Sequence, residues 1–109
     1  MAAYLGEFEQ LLLLTVLRLG PEAYGVDIAR ELEARAGRRV SRGALYTSLD
    51  RLEDKGLLRW KAGAGSAERE GLPRRHYHVT ASGVAALRES RDVLKRMWRG
   101  IEHLLNEPS

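Results

Sequence analysis

The chain has 109 residues and a formal net charge of +3, with 44% hydrophobic residues, 30% charged residues and no cysteine. This length fits one compact domain, and the apolar fraction is too high for a disordered chain. The lack of cysteine excludes disulfides and thiolate metal sites.

The chain carries no pattern typical of membrane insertion or secretion. Its longest apolar run, residues 11–17 with only Thr15 inside it, is far shorter than the ~20 residues that cross a bilayer. The first residues lack the basic segment, apolar segment and cleavage site of a signal peptide. We therefore expect a soluble cytoplasmic protein with no membrane partner.

The charge is unevenly distributed. Residues 1–36 hold three basic and six acidic residues, residues 37–75 ten basic and five acidic, and residues 76–109 five basic and four acidic. The basic excess lies in the middle third, which indicates a polyanionic partner such as nucleic acid. A solvated, arginine-rich surface is the alternative interpretation.

Apolar periodicity predicts three helices in the first half. Residues 7–19 carry leucines on more than one stripe, so we expect this helix to be covered on most sides, in part by a second chain. A second helix spans about 26–36. A third runs from the N-cap Ser41 to about Lys55, with a leucine stripe that leaves Arg42, Gly43 and Thr47 on another face.

A hairpin and a long helix follow. Residues 57–60 and 75–79 read as paired strands around a long loop, 61–74, that contains several glycines. Thr80 caps a last helix of about 81–105 with heptad spacing, roughly 37 Å long, which has no remaining domain to pack against. This pattern predicts a homodimer, and the dimerisation residues are expected to be Phe8, Leu12, Leu87, Leu94, Trp98, Ile101 and Leu105.

Three helices followed by a two-stranded hairpin is the order of a winged helix-turn-helix. The predicted fold is therefore mainly α with a small β-hairpin (α+β), in which residues 1–79 form the DNA-binding domain and 80–109 the dimerisation helix. The basic excess coincides with the third helix and the wing, the two elements that would touch DNA.

Three segments carry a family resemblance. LGPEAYGVDI (19–28), SRGALYTSLDRLEDKGL (41–57) and GLPRRHYHVT (71–80) resemble, in the same order, the second-helix start, recognition helix and wing end of PadR-family transcriptional regulators. The single C-terminal helix is similar to that of the small subfamily. The sequence departs from the family at Thr47, where proline is usual, and at His76, where another aromatic residue is common.

The resemblance implies a dimeric DNA-binding regulator, usually a repressor, often released by a small molecule. We expect a pseudo-palindromic double-stranded DNA operator with half-sites about one helical turn apart. Regulators of the MarR type place more helix before the DNA-binding unit than this N-terminus supplies. A winged helix that acts only through protein contacts is the competing hypothesis.

Ten residues are candidates for DNA contact. The tyrosines offer hydroxyls to phosphates, although each ring could instead fill the core; Arg51 could instead pair with nearby acids. The start of the third helix suits a phosphate, and Arg42 or Thr47 is placed to reach base edges. The candidates are Tyr24, Ser41, Arg42, Gly43, Tyr46, Thr47, Arg51, Lys61, Arg74 and Arg75.

Trp98 has two interpretations, a dimer-core residue or one wall of an interface pocket for a small planar effector. His76 and His78 form an H-x-H pair without neighbouring cysteines, which is a weak metal signal. The sequence contains no nucleophile elbow, phosphate-binding loop or zinc-protease motif. We therefore expect neither enzymatic activity nor a metal or other cofactor.

Overall fold

The computed structural model describes residues 5–65 and 73–106, and it confirms a mainly helical α+β architecture. Four helices and one antiparallel hairpin follow one another, with short 3-10 turns at Gly20–Glu22 and Glu102–Asn106. The elements are α1 (Glu7–Leu19), α2 (Gly25–Ala36), α3 (Arg42–Asp54), β1 (Leu58–Gly65), β2 (Pro73–Val79) and α4 (Ala81–Trp98).

The two predicted N-caps are confirmed. The Ser41 hydroxyl accepts a hydrogen bond from the Ala44 backbone N–H at 3.1 Å, and the Thr80 hydroxyl accepts one from Gly83 N–H at 3.0 Å. Thr80 also donates its hydroxyl proton to the Gly56 carbonyl oxygen, at 2.7 Å. The start of α4 is thereby fastened to the turn between α3 and β1.

The core forms where three helices meet the hairpin. The leucine stripe of α3 is fully buried, and α2 contributes Ile28 and Leu32. Val26 is 56% exposed, and Ile28 is the residue in the first half of α2 that faces the core. The buried core consists of Leu5, Leu12, Leu13, Val16, Ala23, Ile28, Leu32, Leu45, Leu49, Leu52, Leu57, Leu58, Tyr77 and Ala86.

The hairpin strands are longer than predicted. β1 continues to Gly65, past its expected end at residue 60, and β2 begins at Pro73; residues 66–72 of the predicted loop lie outside the described residues. Gly63 lies in β1 where the register is irregular, between Ala62 and Gly65, and the Tyr24 ring packs against it, so that a Cβ atom would lie 2.8 Å from Tyr24 Cε1. A glycine here marks a close approach, not a loop.

β2 is hydrogen-bonded along both edges. On one side it pairs with β1, with Trp60 opposite Tyr77 and Ala62 opposite Arg75. On the other side the Tyr77 N–H donates to the Ala23 carbonyl oxygen at 2.9 Å, and Tyr24 forms a single bridge with His76. The segment before α2 therefore acts as a one-bridge third strand.

The last helix is shorter than predicted. α4 ends at Trp98, so its length is about 27 Å at 1.5 Å per residue. Gly100 has a φ of 90°, and Ile101 and Leu105 lie beyond this turn, outside the helix. The heptad spacing of apolar residues continues across Gly100, whereas the helical backbone does not.

Leu12 was expected at the dimer surface, and the structure corrects this. Its side chain is 0% exposed in the core of its own chain and cannot face a second one. Leu14 and Leu17 are the exposed leucines of α1, at 45% and 46%. A single helix with leucines on several sides does not reveal which side its own domain covers.

Gly83 packs directly on backbone, which generates a stability prediction. A Cβ atom there would collide with the Leu57 carbonyl oxygen and with Val79. We expect Gly83→Ala to lower the free energy of unfolding by about 1–3 kcal/mol, because a peptide carbonyl cannot move aside as a side chain can. Thermal denaturation followed by circular dichroism measures it.

Gly43→Ala is the matched control, because Gly43 also lies in the first turn of a helix but has open space around its Cα. This variant is expected to be more stable than the wild type by up to ~1 kcal/mol, through helix propensity. A Gly83→Ala protein that melts at the wild-type temperature would contradict the close packing of α4 on Leu57.

Candidate nucleic-acid interface

The first turn of α3 is open to solvent. Arg42, Gly43 and Thr47 are exposed, and in the described residues no heavy atom beyond the two chain neighbours and the backbone of α3 itself lies within 4 Å of a Cβ atom built on Gly43. Among the described residues no carboxylate pairs with Arg42 or Arg51, although an ion pair was one alternative for Arg51. Free N–H groups and unpaired guanidinium groups together form a surface suited to phosphate.

The Ser41 side chain already has a structural task. Its oxygen accepts the Ala44 N–H as helix cap, so only its hydroxyl proton remains free for a phosphate oxygen. Loss of this side chain would therefore weaken the start of α3 as well as any DNA contact.

Tyr46 is half-buried and packs against the core. Its hydroxyl lies directly over Gly25, where a Cβ atom would collide with it. Gly25 therefore lets α3 approach the start of α2. Of the two interpretations of Tyr46, the structure provides the packing role, and the phosphate contact stays a prediction.

Arg74 and His76 lie on one face of the wing, called the outer face here, and both contact the Tyr24 ring. Arg74 Cζ lies 4.3 Å from the ring centroid, and the His76 ring lies 5.3 Å away at a tilt of 56°. His76 Nε2 is 3.2 Å from the Gly20 carbonyl oxygen, a hydrogen bond that requires the proton on Nε2. Arg74 also lies 4.0 Å from Asp27 Oδ2.

The inner face of the wing meets α3. Arg75 Cζ lies 4.4 Å from the centroid of the Trp60 ring, and Arg75 Nη1 lies 3.5 Å from Asp50 Oδ1. Trp60 and Arg75 are diagonal neighbours across the hairpin, a separation that long side chains bridge. The two wing arginines therefore lie on opposite faces of the hairpin, each beside one aromatic ring and one carboxylate.

The Tyr77 hydroxyl lies beneath Arg75. Within the described residues it makes no hydrogen bond of ordinary geometry, so its contact with Arg75 is electrostatic proximity. Burial raises the pKa of Tyr77, and the Arg75 charge opposes that rise. The pKa of Arg75 is raised, first by the Tyr77 hydroxyl and then by the charges of Asp50 and Glu53.

Comparison with known proteins decides the family. The model of the transcriptional regulator PadR-like family matches residues 13–89. The chain is 42% identical over 82 residues to the transcriptional regulator Rv3488 of Mycobacterium tuberculosis, an alignment covering 73% of this chain and 70% of that protein. The chain belongs to the PadR-like family of transcriptional regulators.

Solved structures agree. A PadR family transcriptional regulator from Eggerthella lenta has a TM-score of 0.61 and 31% identity, over 87% of this chain and 83% of its own. F93 from STIV, a winged-helix DNA-binding protein, has a TM-score of 0.67 at 18% identity, over 90% and 98%, which shows the fold alone. The predicted PadR membership and winged-helix fold are confirmed.

Three side chains that contact the wing arginines of this PadR-family protein were not predicted as site residues, namely Trp60, Asp27 and Asp50. Trp60 was assigned only to a strand, and its contact with Arg75 follows from the hairpin register. The alternation of the strands was a usable signal, because it puts Trp60 and Arg75 on one face. The carboxylates come from helices distant in sequence, for which a single sequence gives no local signal.

A second surface of the PadR-family protein is an apolar groove of about 870 Å³ between α1 and α4. Trp98 lies on the wall of this groove. Its apolar lining is Leu14, Leu17, Val84, Leu87, Leu94, Trp98 and Leu105, and its polar rim is mainly basic, with Arg88, Arg91, Lys95 and Arg99 beside Gln10 and Glu102.

Two further predicted residues, Phe8 and Lys61, lie away from this groove. Phe8 is partly buried under the Arg38 guanidinium, whose Cζ lies 5.7 Å from the ring centroid, and Lys61 is exposed on β1. No cluster of three potential metal ligands forms around His76 and His78 in the described ranges. No described helix is both long and apolar enough to cross a membrane.

Proposed function

We propose that this PadR-family protein is a homodimeric repressor that binds a pseudo-palindromic operator and is released by a small planar effector. The observation that carries the proposal is a pair of separate open surfaces. One is the basic, unobstructed start of α3 beside the wing, and the other is the uncovered apolar face of α1 and α4.

The first surface supports DNA contact through the ten candidates. The start of α3 offers helix N–H groups, Arg42 and Arg51, and the space above Gly43 admits a sugar-phosphate backbone. On the wing, Lys61, Arg74 and Arg75 supply positive charge beside it. Helix α3 would lie in the major groove, and the wing would contact the adjoining backbone.

The second surface supports a dimer. Only Gly83 and Ala86 of α4 are buried, so most of this helix stands clear of the domain. Isolated exposed leucines are ordinary, whereas a contiguous apolar face marks an interface. The exposed large apolar residues of α1, α4 and the C-terminal turn are Leu14, Leu17, Val93, Leu94, Met97, Trp98, Ile101, Leu104 and Leu105.

The effector site would lie in the groove beside Trp98. An indole wall suits a planar ligand, and the basic rim favours planar ligands that carry an anionic group. A ligand that fits better in one arrangement of the two subunits would shift the spacing of the α3 helices and so release the operator.

DNA binding is tested with the duplex immediately upstream of the protein's own gene against a scrambled duplex, by fluorescence anisotropy. We expect selective binding that weakens roughly a thousandfold or more between 50 and 200 mM salt, because a dimer with three or four phosphate contacts per subunit releases many counterions. Replacement of both Arg74 and Arg75 with alanine should abolish it.

The matched control replaces Arg18 of α1 and Arg35 of α2, which both pair with Glu31 and belong to neither α3 nor the wing, and should leave the affinity within a few fold. Absence of binding at low salt would favour the competing hypothesis of a protein-interaction module. Footprinting that protects an asymmetric, single half-site would contradict the pseudo-palindromic operator.

The dimer is tested by light scattering coupled to size exclusion. We expect twice the 12.2 kDa of one chain for the wild type and a shift toward 12.2 kDa for Leu94→Glu, since a carboxylate would be buried in the interface. Ala34→Glu adds the same charge on an exposed site of α2 and should remain dimeric. A monomeric wild type would overturn the proposed homodimer.

The effector is tested by titrating planar aromatic compounds, with and without a carboxylate, against tryptophan fluorescence. We expect saturable quenching that Trp98→Phe removes while the Trp60 signal remains, together with release of bound operator duplex. A panel in which no planar ligand produces a saturable change would count against the pocket and leave Trp98 as a dimer-core residue.

A further inference from the structure

The two wing arginines are not equivalent. Arg74 faces Asp27, a carboxylate in the first turn of α2, at 4.0 Å. Arg75 faces Asp50, which belongs to α3 itself. Substitution of the two residues therefore exposes different carboxylates, and only one of these lies on the helix that would enter the major groove.

Asp50 places a negative charge on the helix that is proposed to enter the major groove. It lies on the exposed stripe of α3 that also carries Gly43 and Thr47, at helical spacings of seven and three residues. Its side chain is 56% exposed. A carboxylate on this stripe, unless compensated, would repel the phosphates that the positive charges around it attract.

Arg75 is the group that compensates it. Its guanidinium lies over the Trp60 ring, beside the Tyr77 hydroxyl and within 3.5 Å of Asp50 Oδ1. A guanidinium stacked on an indole ring is held in one plane and loses little freedom on pairing. A phosphate that binds Arg75 would compete with Asp50 for the same guanidinium charge.

We propose that Arg75 is a positioning residue, which neutralises Asp50 and links the wing to α3 with Trp60 as its support, and that it is not a phosphate ligand. The inference rests on the DNA interface proposed above and refines the role of one of its residues. Asp50 and Trp60 thereby become determinants of DNA affinity without touching DNA.

A double-mutant cycle on the full-length protein tests this role, with the same upstream duplex and anisotropy assay. Arg75→Ala should weaken binding roughly tenfold when Asp50 is present and less than about twofold in the Asp50→Asn background, because the carboxylate that pairs with Arg75 is then absent. Trp60→Leu should show the same dependence on Asp50.

Arg74→Ala is the matched control. It removes the same charge from the opposite face of the hairpin, so its cost should be equal in the wild-type and Asp50→Asn backgrounds. Arg75→Gln replaces Arg75→Ala if the alanine variant fails to fold, which circular dichroism reports.

The inference would be overturned if Arg75→Ala lowered the DNA affinity equally in both backgrounds and reduced the slope of log affinity against log salt concentration by about 0.9 per subunit. That result would show direct phosphate contact. Failure of the wild-type protein to bind any duplex is a distinct result. It would overturn the proposed DNA interface itself and, with it, this role for Arg75.

Discussion

The attachment of β2 to the segment before α2 is the constraint on which the rest of the structure depends. The hydrogen bond from Tyr77 N–H to Ala23 and the bridge between Tyr24 and His76 fix the wing relative to the helices. Tyr24 then packs against Gly63 on one strand and under Arg74 on the other. Because the wing is placed from α2, its inner face meets α3 in a single arrangement.

The sequence predicted the bounds of a helix correctly where residues next to its ends determine those bounds. The bounds of α1 follow from glycines at both ends, and those of α3 from the Ser41 cap and a leucine stripe. One prediction was wrong because of a residue distant in sequence: the Tyr24 ring packs against Gly63 in a stretch that was predicted to be loop. Another was wrong for a local reason, because the heptad spacing was followed past Gly100, whose φ is 90°.

The candidate site divides in the same way. The exposure of Arg42, Gly43 and Thr47 could be predicted, because the buried leucines of one helix determine which face remains outside. The partners of the wing arginines could not, because Asp27 and Asp50 come from separate helices and approach only after the hairpin has docked. The distribution of charge along the sequence predicted the basic region, but a sequence does not show which of its basic side chains already pair with carboxylates.

The narrow attachment of α4 has a geometric consequence. The helix is held at its first turn, where Gly83 rests on the Leu57 carbonyl, and then extends about 27 Å with little support from its own domain. A small rotation at its first turn therefore produces a larger displacement at its far end. A rotation of about 10° at Gly83 would move the far end by about 5 Å, more than the ~3.4 Å rise of one base pair. In the dimer proposed above, the small residues at this first turn would determine which separations of two half-sites the molecule can span.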